Sequence, residues 1–475
     1  MANFLINSAA VSVTGTEDKD LFQILSGASA VTVAGLGADD TFTFSSVAAA
    51  TPFTFGSSVV QAGAGNDTLN VTTAVSLSAT SIGGGEGKDT INFGDNNGEA
   101  SYNGFTVNGG QANDILNFAA DITGTASAFS INGGLEDDSI NIFSAGGASV
   151  KSGLIGGGKG DDFISAESGG TYAFVTVNGG LGEDSIFFSA ATLTGVVING
   201  GQNNVTDAEA DSADIITLAV SGGALNGTVL GNGGDDTITI SAVVATGFSI
   251  GGGQNIDDID VAFNAASGVT IGGGKGNDAI LIQDDSLQDG ANLVIGGDGN
   301  DAIDFNTGLS AANLLTIEGG AGADIITVSG GALSAGNFKY SSFSDSTLSD
   351  LDQINLRSPA NTTINSFVAP GVGIATASAY VINSQTATVA GGYIQSFVSA
   401  GITTLTAAVD FLDQALSTNE AVAFSLVSGG SQAFLFVQGG DTDLVVQYNS
   451  ANAAVSGGTL AASGIAGGTK LEFVY

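Results

Sequence analysis

The sequence has no histidine, no cysteine and no tryptophan, only three prolines, and only eight Lys and Arg among 475 residues. Each absence closes a class of function. Without His or Cys there is no Ser-His-Asp triad, no Cys nucleophile and no zinc site of the usual nitrogen and sulfur ligands. No disulfide can staple the fold, although a lack of cysteine leaves the redox compartment open. Forty-seven Asp and Glu set the formal net charge at −39. A chain this acidic is repelled by phosphate backbones and anionic lipid, which argues against nucleic-acid binding and electrostatic membrane docking. No run of about 18 apolar residues occurs, so no membrane insertion is expected. The N-terminal stretch MANFLINSAAVSVTG has no basic region, and its apolar run is only Phe4-Leu5-Ile6, unlike a cleaved secretory signal.

What is present is glycine, at 74 residues, and a hydrophobic fraction of 43%. That is roughly twice the usual glycine share. The Val, Ile, Leu and Phe content is too high for a disordered chain. Such a chain must bury a core and manage its own repulsion, for which hard cations with oxygen ligands are the natural remedy.

A short string recurs along residues 15–357: two glycines, a spacer, Gly or a small residue, a polar residue, Asp, any residue, then an aliphatic. Clear copies are Gly84-Gly85-Glu86-Gly87-Lys88-Asp89-Thr90-Ile91 and Gly157-Gly158-Lys159-Gly160-Asp161-Asp162-Phe163-Ile164, with others beginning at Gly179, Gly273, Gly296 and Gly319. Weaker copies begin at Gly35, Ala62, Gly109, Gly133, Gly231 and Gly252. The Asp falls at 40, 67, 89, 114, 138, 162, 184, 214, 236, 257, 278, 301 and 324, with Asp20 and Asp352 as degenerate outer copies. The mean step is about 24 residues, and the longest, from 184 to 214, carries an insert at Asn203 to Ala213.

After each Asp the chain alternates, as in Leu69/Val71, Ile91/Phe93, Ile140/Ile142, Ile238/Ile240 and Ile303/Phe305, which is the period of a strand with one buried face. Before many of the glycine pairs a second strand ends in an aliphatic, as at Val107, Ile131, Val177 and Ile198. Each repeat therefore holds two short strands, one fixed glycine-rich turn and one variable turn, such as Phe118-Ala119-Ala120-Asp121-Ile122-Thr123-Gly124. A unit of this size cannot bury its apolar face alone, and stacking the units buries a continuous core. The expected fold is all-β: a parallel β-roll or β-solenoid of about 14 coils, rising about 4.8 Å per coil, followed by a smaller β-rich domain with one helix.

The repeated string resembles the nonapeptide of RTX (repeats-in-toxin) proteins, which hold calcium in a parallel β-roll. The resemblance implies metal ligation by Asp40, Asp67, Asp89, Asp114, Asp138, Asp162, Asp184, Asp236, Asp257, Asp278, Asp301 and Asp324. It implies turn roles for Gly85, Gly87, Gly158, Gly160, Gly180, Gly182, Gly274, Gly276, Gly297, Gly299, Gly320 and Gly322. Glycines allow positive φ and bring carbonyls together, while each Asp supplies a hard anionic oxygen. About ten Ca²⁺ ions would cancel roughly 20 of the negative charges, an appropriate scale for the self-repulsion. The chain departs from the family pattern in carrying one such turn per coil, so a single row of ions is expected. Ala38, Ala112, Glu136 and Asn255 replace the middle glycine, which puts their sites in doubt, as it does for Asp20, Asp214 and Asp352. The alternative is that Gly and Asp simply make tight turns in a metal-free solenoid.

The string stops near Asp352, and Pro359 and Pro370 follow, marking a boundary before a domain at 358–475. Ile402, Leu405, Val409, Leu412 and Leu416 are spaced three and four apart, which predicts one amphipathic, core-facing helix. The stretch from Ala433 to Gln447 predicts a hairpin turning at Gly439-Gly440-Asp441, and the chain ends on Leu471-Glu472-Phe473-Val474-Tyr475. This tail resembles the end of RTX-type surface-layer proteins exported by type I secretion, and that likeness implies release without a cleaved N-terminal signal.

Three functions compete. The first is structural: an extracellular or cell-surface lattice protein that folds and self-assembles on calcium binding, with itself as partner and cell-surface polysaccharide as a further one. Residues 1–14 would then be a cap or an assembly strand. The second is a calcium-dependent adhesin, biofilm-matrix or filament protein. Exposed aromatics would favour glycan binding, but Trp is absent and Phe falls mostly at inward positions. A long outward Thr ladder would favour ice binding, and only scattered copies occur. The third is an enzyme using Asp161-Asp162, Asp235-Asp236 or Asp257-Asp258 as a carboxylate pair. Each pair lies inside a turn string, so no enzymatic role is expected.

Overall fold

A computed structural model describes the chain apart from residues 26–27, 46–52, 72–74, 95–101, 119–128, 143–148, 202–211, 284–286, 288–290, 307–314, 330–335, 357–362, 369–371, 376–378, 383–384, 391, 398–401, 428–429, 451–458, 466–467 and 475. The insert after Asn203 and the variable turn after Phe118 fall largely outside the described residues, as do Pro359, Pro370 and Tyr475. The fold is all-β, with a parallel β-solenoid of about 11 turns. This is fewer than the fourteen Asp-to-Asp steps. The chain divides into two compact units, Met1–Val244 and Ala245–Tyr475.

In the first unit the coils from Thr68 to Ile142 repeat one register, while shifts interrupt the pairing of Phe163–Leu181 with Ser185–Asn199 and of Ser185–Asn199 with Ile215–Asn232. Thr68–Val71 pairs in parallel with Thr90–Phe93, which pairs in parallel with Ile115–Phe118, which pairs with Ser139–Ile142. On the other side of the corner Val59–Ala64, Ser81–Glu86, Thr106–Gln111 and Phe129–Leu135 form a second parallel ladder. The period-two pattern predicts this outcome, because alternate residues of each strand face one core. Three apolar files fill that core. Leu69, Ile91, Leu116 and Ile140 form the first, Val71, Phe93, Phe118 and Ile142 the second, and Val60, Ile82, Val107 and Ile131 the third, all at 0–1% exposure. Like residues stack on like: the Phe93 and Phe118 rings lie 4.5 Å apart and nearly parallel, as do those of Phe22 and Phe42. Such offset pairs add to area burial.

Residues 1–14 form the opening coil. Asn3–Ile6 runs parallel to Leu21–Leu25, and Ser12–Thr14 parallel to Thr32–Leu36.

In the second unit the coils continue through Thr270–Lys275, Leu293–Asp298 and Thr316–Ala321 on one ladder and Ala279–Ile282, Ala302–Phe305 and Ile325–Val328 on the other. Asp352–Leu356 then pairs in parallel with Leu444–Ser450, so a strand from the C-terminal segment continues this ladder. The predicted helix is α1, Leu405–Ala415, capped by the Thr404 hydroxyl, which accepts from the Ala407 amide. Its buried Ala408, Val409, Phe411 and Leu412 pack into an apolar cluster with Phe424, Phe434, Phe436 and Val445. The predicted hairpin forms between Gln432–Val437 and Leu444–Ser450, with Val437 opposite Leu444. Gly468–Val474 lies antiparallel to both Thr363–Val368 and Thr459–Ile465.

Candidate functional site

The corner of each coil is built from the glycine-rich string. At the second position Gly85 has φ of 122°, and a Cβ there would lie 1.9 Å from the Gly63 carbonyl oxygen of the preceding coil. At the fourth position Gly87 has φ of 104° and the Gly65 carbonyl 2.2 Å from its Cβ position. Only glycine fits both constraints. Gly158 and Gly160, Gly180 and Gly182, Gly274 and Gly276, Gly297 and Gly299, and Gly320 and Gly322 occupy the same two places with the same positive φ. The turn survives where the middle glycine is replaced, because Ala38, Ala112, Glu136 and Asn255 all take φ between 59° and 75°.

The corner aspartates do not splay into solvent. Asp20, Asp40, Asp67, Asp89, Asp114, Asp138, Asp162, Asp184, Asp214 and Asp236 in the first unit are all buried, at 0–2% exposure. So are Asp257, Asp278, Asp301, Asp324 and Asp352 in the second. Each carboxylate spends one oxygen on the coil before it. The Asp67 amide donates to Asp89 Oδ1 at 2.7 Å, Asp89 to Asp114 at 2.7 Å, Asp114 to Asp138 at 2.7 Å and Asp138 to Asp162 at 2.8 Å. The pattern runs from Asp20 to Asp236, and in the second unit from Asp257 to Asp352, where the Asp324 amide donates at 3.0 Å. Asp20, Asp214 and Asp352, whose copies of the string were in doubt, therefore belong to the hydrogen-bonded file.

The second oxygen is the chemically open one. Oδ2 of Asp40, Asp67, Asp89, Asp114, Asp138, Asp162, Asp278, Asp301, Asp324 and Asp352 is buried and accepts no hydrogen bond. It packs against the first glycine of its own turn, beside a carbonyl of the next coil. A Cβ on Gly84 would meet Asp89 Oδ2 at 2.2 Å and the Gly109 carbonyl oxygen at 2.4 Å. Burial without a partner pushes these carboxyls up. Asp67 and Asp324 rise to about 6, Asp114, Asp162 and Asp301 to about 7, Asp89 and Asp138 to about 8, and Asp352 to about 9. Burial is the largest cause in each; amide hydrogen bonds oppose it, and the charges of adjacent file members add to it at Asp89, Asp138 and Asp301.

Such an oxygen needs either a proton or a cation. The donor set is carboxylate and carbonyl oxygen only, which is the chemistry of a hard divalent ion. The residues present fit calcium in that respect. They do so as a file with one carboxylate per coil, and no group of three or more acidic side chains is gathered for a metal among the described residues.

The outermost members, Asp20 in the first unit and Asp352 in the second, differ. Asp20 is held below the ordinary carboxylate range: burial raises it, but the amides of Ala2 and Thr16 and the Thr16 hydroxyl outweigh that. Those three donors lie 2.6, 2.7 and 2.9 Å from its oxygens, leaving it satisfied by protein alone. At Asp352 a serine takes the place of a further Asp. The Asp352 amide donates to Ser346 Oγ at 2.9 Å, and that hydroxyl donates to the Val445 carbonyl.

Two further ladders were not singled out in the sequence. Where the residue before a corner Asp is Asp or Asn, several form a parallel exposed file: Asp137 Oδ1 accepts from the Asp161 amide, and Asp161 Oδ1 from the Glu183 amide. Asn277 and Asn300 do the same with Asn300 and Ala323. Asn70, Asn92, Asn117 and Asn141 form an amide ladder at 2.8–3.0 Å that ends on Ser165. Both were legible as a polar residue recurring at fixed offsets, one before and three after the Asp. In the acidic pairs 161–162, 235–236 and 257–258 one member is the buried file aspartate and the other, Asp161, Asp235 or Asp258, is exposed, with Asp258 following its corner Asp rather than preceding it. Phe placement is mostly inward, but Phe163, Phe174 and Phe187 are exposed, at 44%, 66% and 38%. No family model matches this chain, and no curated protein matches its sequence.

Proposed function

We propose that this chain is a structural, self-assembling extracellular protein whose corner aspartates are neutralised by calcium. The observation that carries the reading is the unpartnered, buried Oδ2 repeated in coil after coil. Calcium, when bound, supplies positive charge and accepts six or more oxygen ligands. The Asp Oδ2 atoms and corner carbonyls would hold it, and Oδ1 would keep its bond to the preceding amide. Without that charge the file repels itself, and a net −39 adds to the repulsion. Folding is then coupled to metal, which suits a chain that passes an export channel unfolded and folds outside. The same reading includes the family resemblance and export by the type I route.

Assembly is supported by the outer face of the first unit. Ile115, Phe163, Phe187 and Ile215 point outward at 38–53% exposure. Phe163, Ser185 and Ile215 sit in one register row, so apolar contact area recurs along the sheet. The outward threonine row Thr41, Thr68 and Thr90 is only three rungs long before Ile115 interrupts it, too short to favour an ice-binding surface.

The test is circular dichroism with light scattering during a calcium titration of the full chain. Strand signal and large particles that both grow with calcium, and dissolve in excess EGTA, support the proposal. Strand signal with a persistent monomer moves the assignment to a calcium-dependent adhesin or matrix protein. Full strand signal in EGTA at neutral pH with no response to calcium overturns it.

A further inference from the structure

We propose a second, separate divalent-cation site in the C-terminal segment, formed by Asp413, Asp443 and the side-chain carbonyl of Gln438. It lies where α1 ends against the loop of the 432–450 hairpin. Gln438 is 7% exposed, and its Nε2 donates to Asp413 Oδ1 at 3.1 Å. The adjacent Gly439 amide donates to Asp443 Oδ1 at 3.0 Å. Two consecutive residues thus gather two carboxylates. Gln438 Oε1 is buried there and accepts no hydrogen bond. A buried amide oxygen of this kind is costly unless something occupies it.

Charge points to a cation as the occupant. Asp413 stands in the last turn of α1, where no basic residue is present, so it adds to the negative end of the helix dipole. Asp443 is half-buried, and its Oδ1 is fixed by the Gly439 amide next to Gln438. No Lys or Arg pairs with either carboxylate among the described residues; the ion pair described in this unit is Lys339 with Glu318. Three oxygen donors, two of them anionic, match a hard divalent ion, with water completing the shell on the side of exposed Asp413. The ion would tie the C-terminal end of α1 to the hairpin loop. The site shares no residue with the corner file and does not depend on it.

Hydrogen exchange of the full chain, with calcium and with EGTA, reads both sites separately. Calcium at ten times the dissociation constant should slow exchange of segments 411–416 and 436–444 by about tenfold in the native chain. In D413N/D443N, which keeps both hydrogen-bond acceptors, the effect on these segments should fall below about twofold while the corner segments respond as before. The single variants D413N and D443N serve if the double variant does not fold. No calcium effect on these segments in the native chain overturns the proposal, and so does an effect that survives in the variants. The corner segments, followed in the same samples, report the file independently.

Discussion

In the coils every strand meets its counterpart one turn away in parallel register, whereas from Thr363 onward most strands meet antiparallel partners. The coils bury a polar file, one carboxylate per glycine-rich corner, beside three apolar files. The C-terminal segment instead packs α1 and its hairpins around an apolar cluster containing Leu412, Phe424 and Phe436. The difference lies in where an error is felt. In the coils each residue contacts its equivalents above and below, so stability is a sum of similar nearest-neighbour terms. In the C-terminal segment each core residue is unique, and contacts join distant parts of the chain.

The sharpest way to separate the two regions is pH in the absence of calcium. Apart from Asp20, which is lowered, the shifted corner carboxyls have folded values raised above 3.8, reaching about 6 at Asp67 and about 9 at Asp352. A raised value means that the folded state binds protons more tightly than the unfolded one. Their stabilisation is therefore full below about pH 4 and is lost as pH rises through the range from about 6 to about 9. Metal-free protein should show its greatest coil stability in mild acid and lose strand signal on raising the pH to 8, measured by circular dichroism in EGTA. The collective response of the file makes this the largest effect. Coils equally stable at pH 5 and pH 8 without metal would contradict it.

Single substitutions come next. Gly85→Ala places a Cβ against the Gly63 carbonyl in a positive-φ corner. Strain and overpacking together should cost about 2–6 kcal/mol. The loss should appear as faster hydrogen exchange in the flanking coils while the C-terminal segment keeps its protection. Leu412→Ala does the reverse. It empties a fully buried position of the helix cluster and should cost about 2–5 kcal/mol, seen as lower denaturant resistance of residues 405–450 with intact coils. Protection lost equally in both regions by either change would show that they unfold as one.

Smaller effects test the file itself. Asp89→Ala removes the acceptor of the buried Asp67 amide and should cost about 1–3 kcal/mol, whereas Asp89→Asn keeps that acceptor and should be close to neutral in EGTA at pH 7. Denaturant midpoints of the two variants give the comparison, and equal losses would deny the Oδ1 bond its role. The smallest effect is a gain. Glu136→Gly relieves a non-glycine residue at φ of 70° and should stabilise by about 0.5–1 kcal/mol, read as a higher melting temperature.

Much of this was legible in the order of residues. The two-residue alternation after each Asp gave inward positions at Leu69, Ile91 and Leu116 that the core occupies. The Gly-Gly spacing placed Gly85 and Gly87 at corners that demand positive φ. The three-and-four spacing of Leu405, Val409 and Leu412 gave α1. The aspartates were expected as one ligand per turn, but nothing in the string shows that Oδ1 is already committed to the amide of the preceding coil. That bond joins residues 25 apart and exists only once coils stack in register. At Ala38, Ala112, Glu136 and Asn255 the corner keeps a positive φ of 59–75°, smaller than the 104° of Gly87, a conformation that the string does not predict for these residues.

By itself the sequence determined the period, the inward faces and the acidic corner, because alternation and turn chemistry are local properties carried by a few residues at a time. Only the tertiary structure decided that the corner carboxylates turn inward as a file in each unit, that Thr16 satisfies Asp20 and Ser346 receives the Asp352 amide, and that Gln438 meets Asp413. Those outcomes depend on which residues stacking and long-range packing bring within hydrogen-bond reach, and separation along the chain carries no trace of that distance.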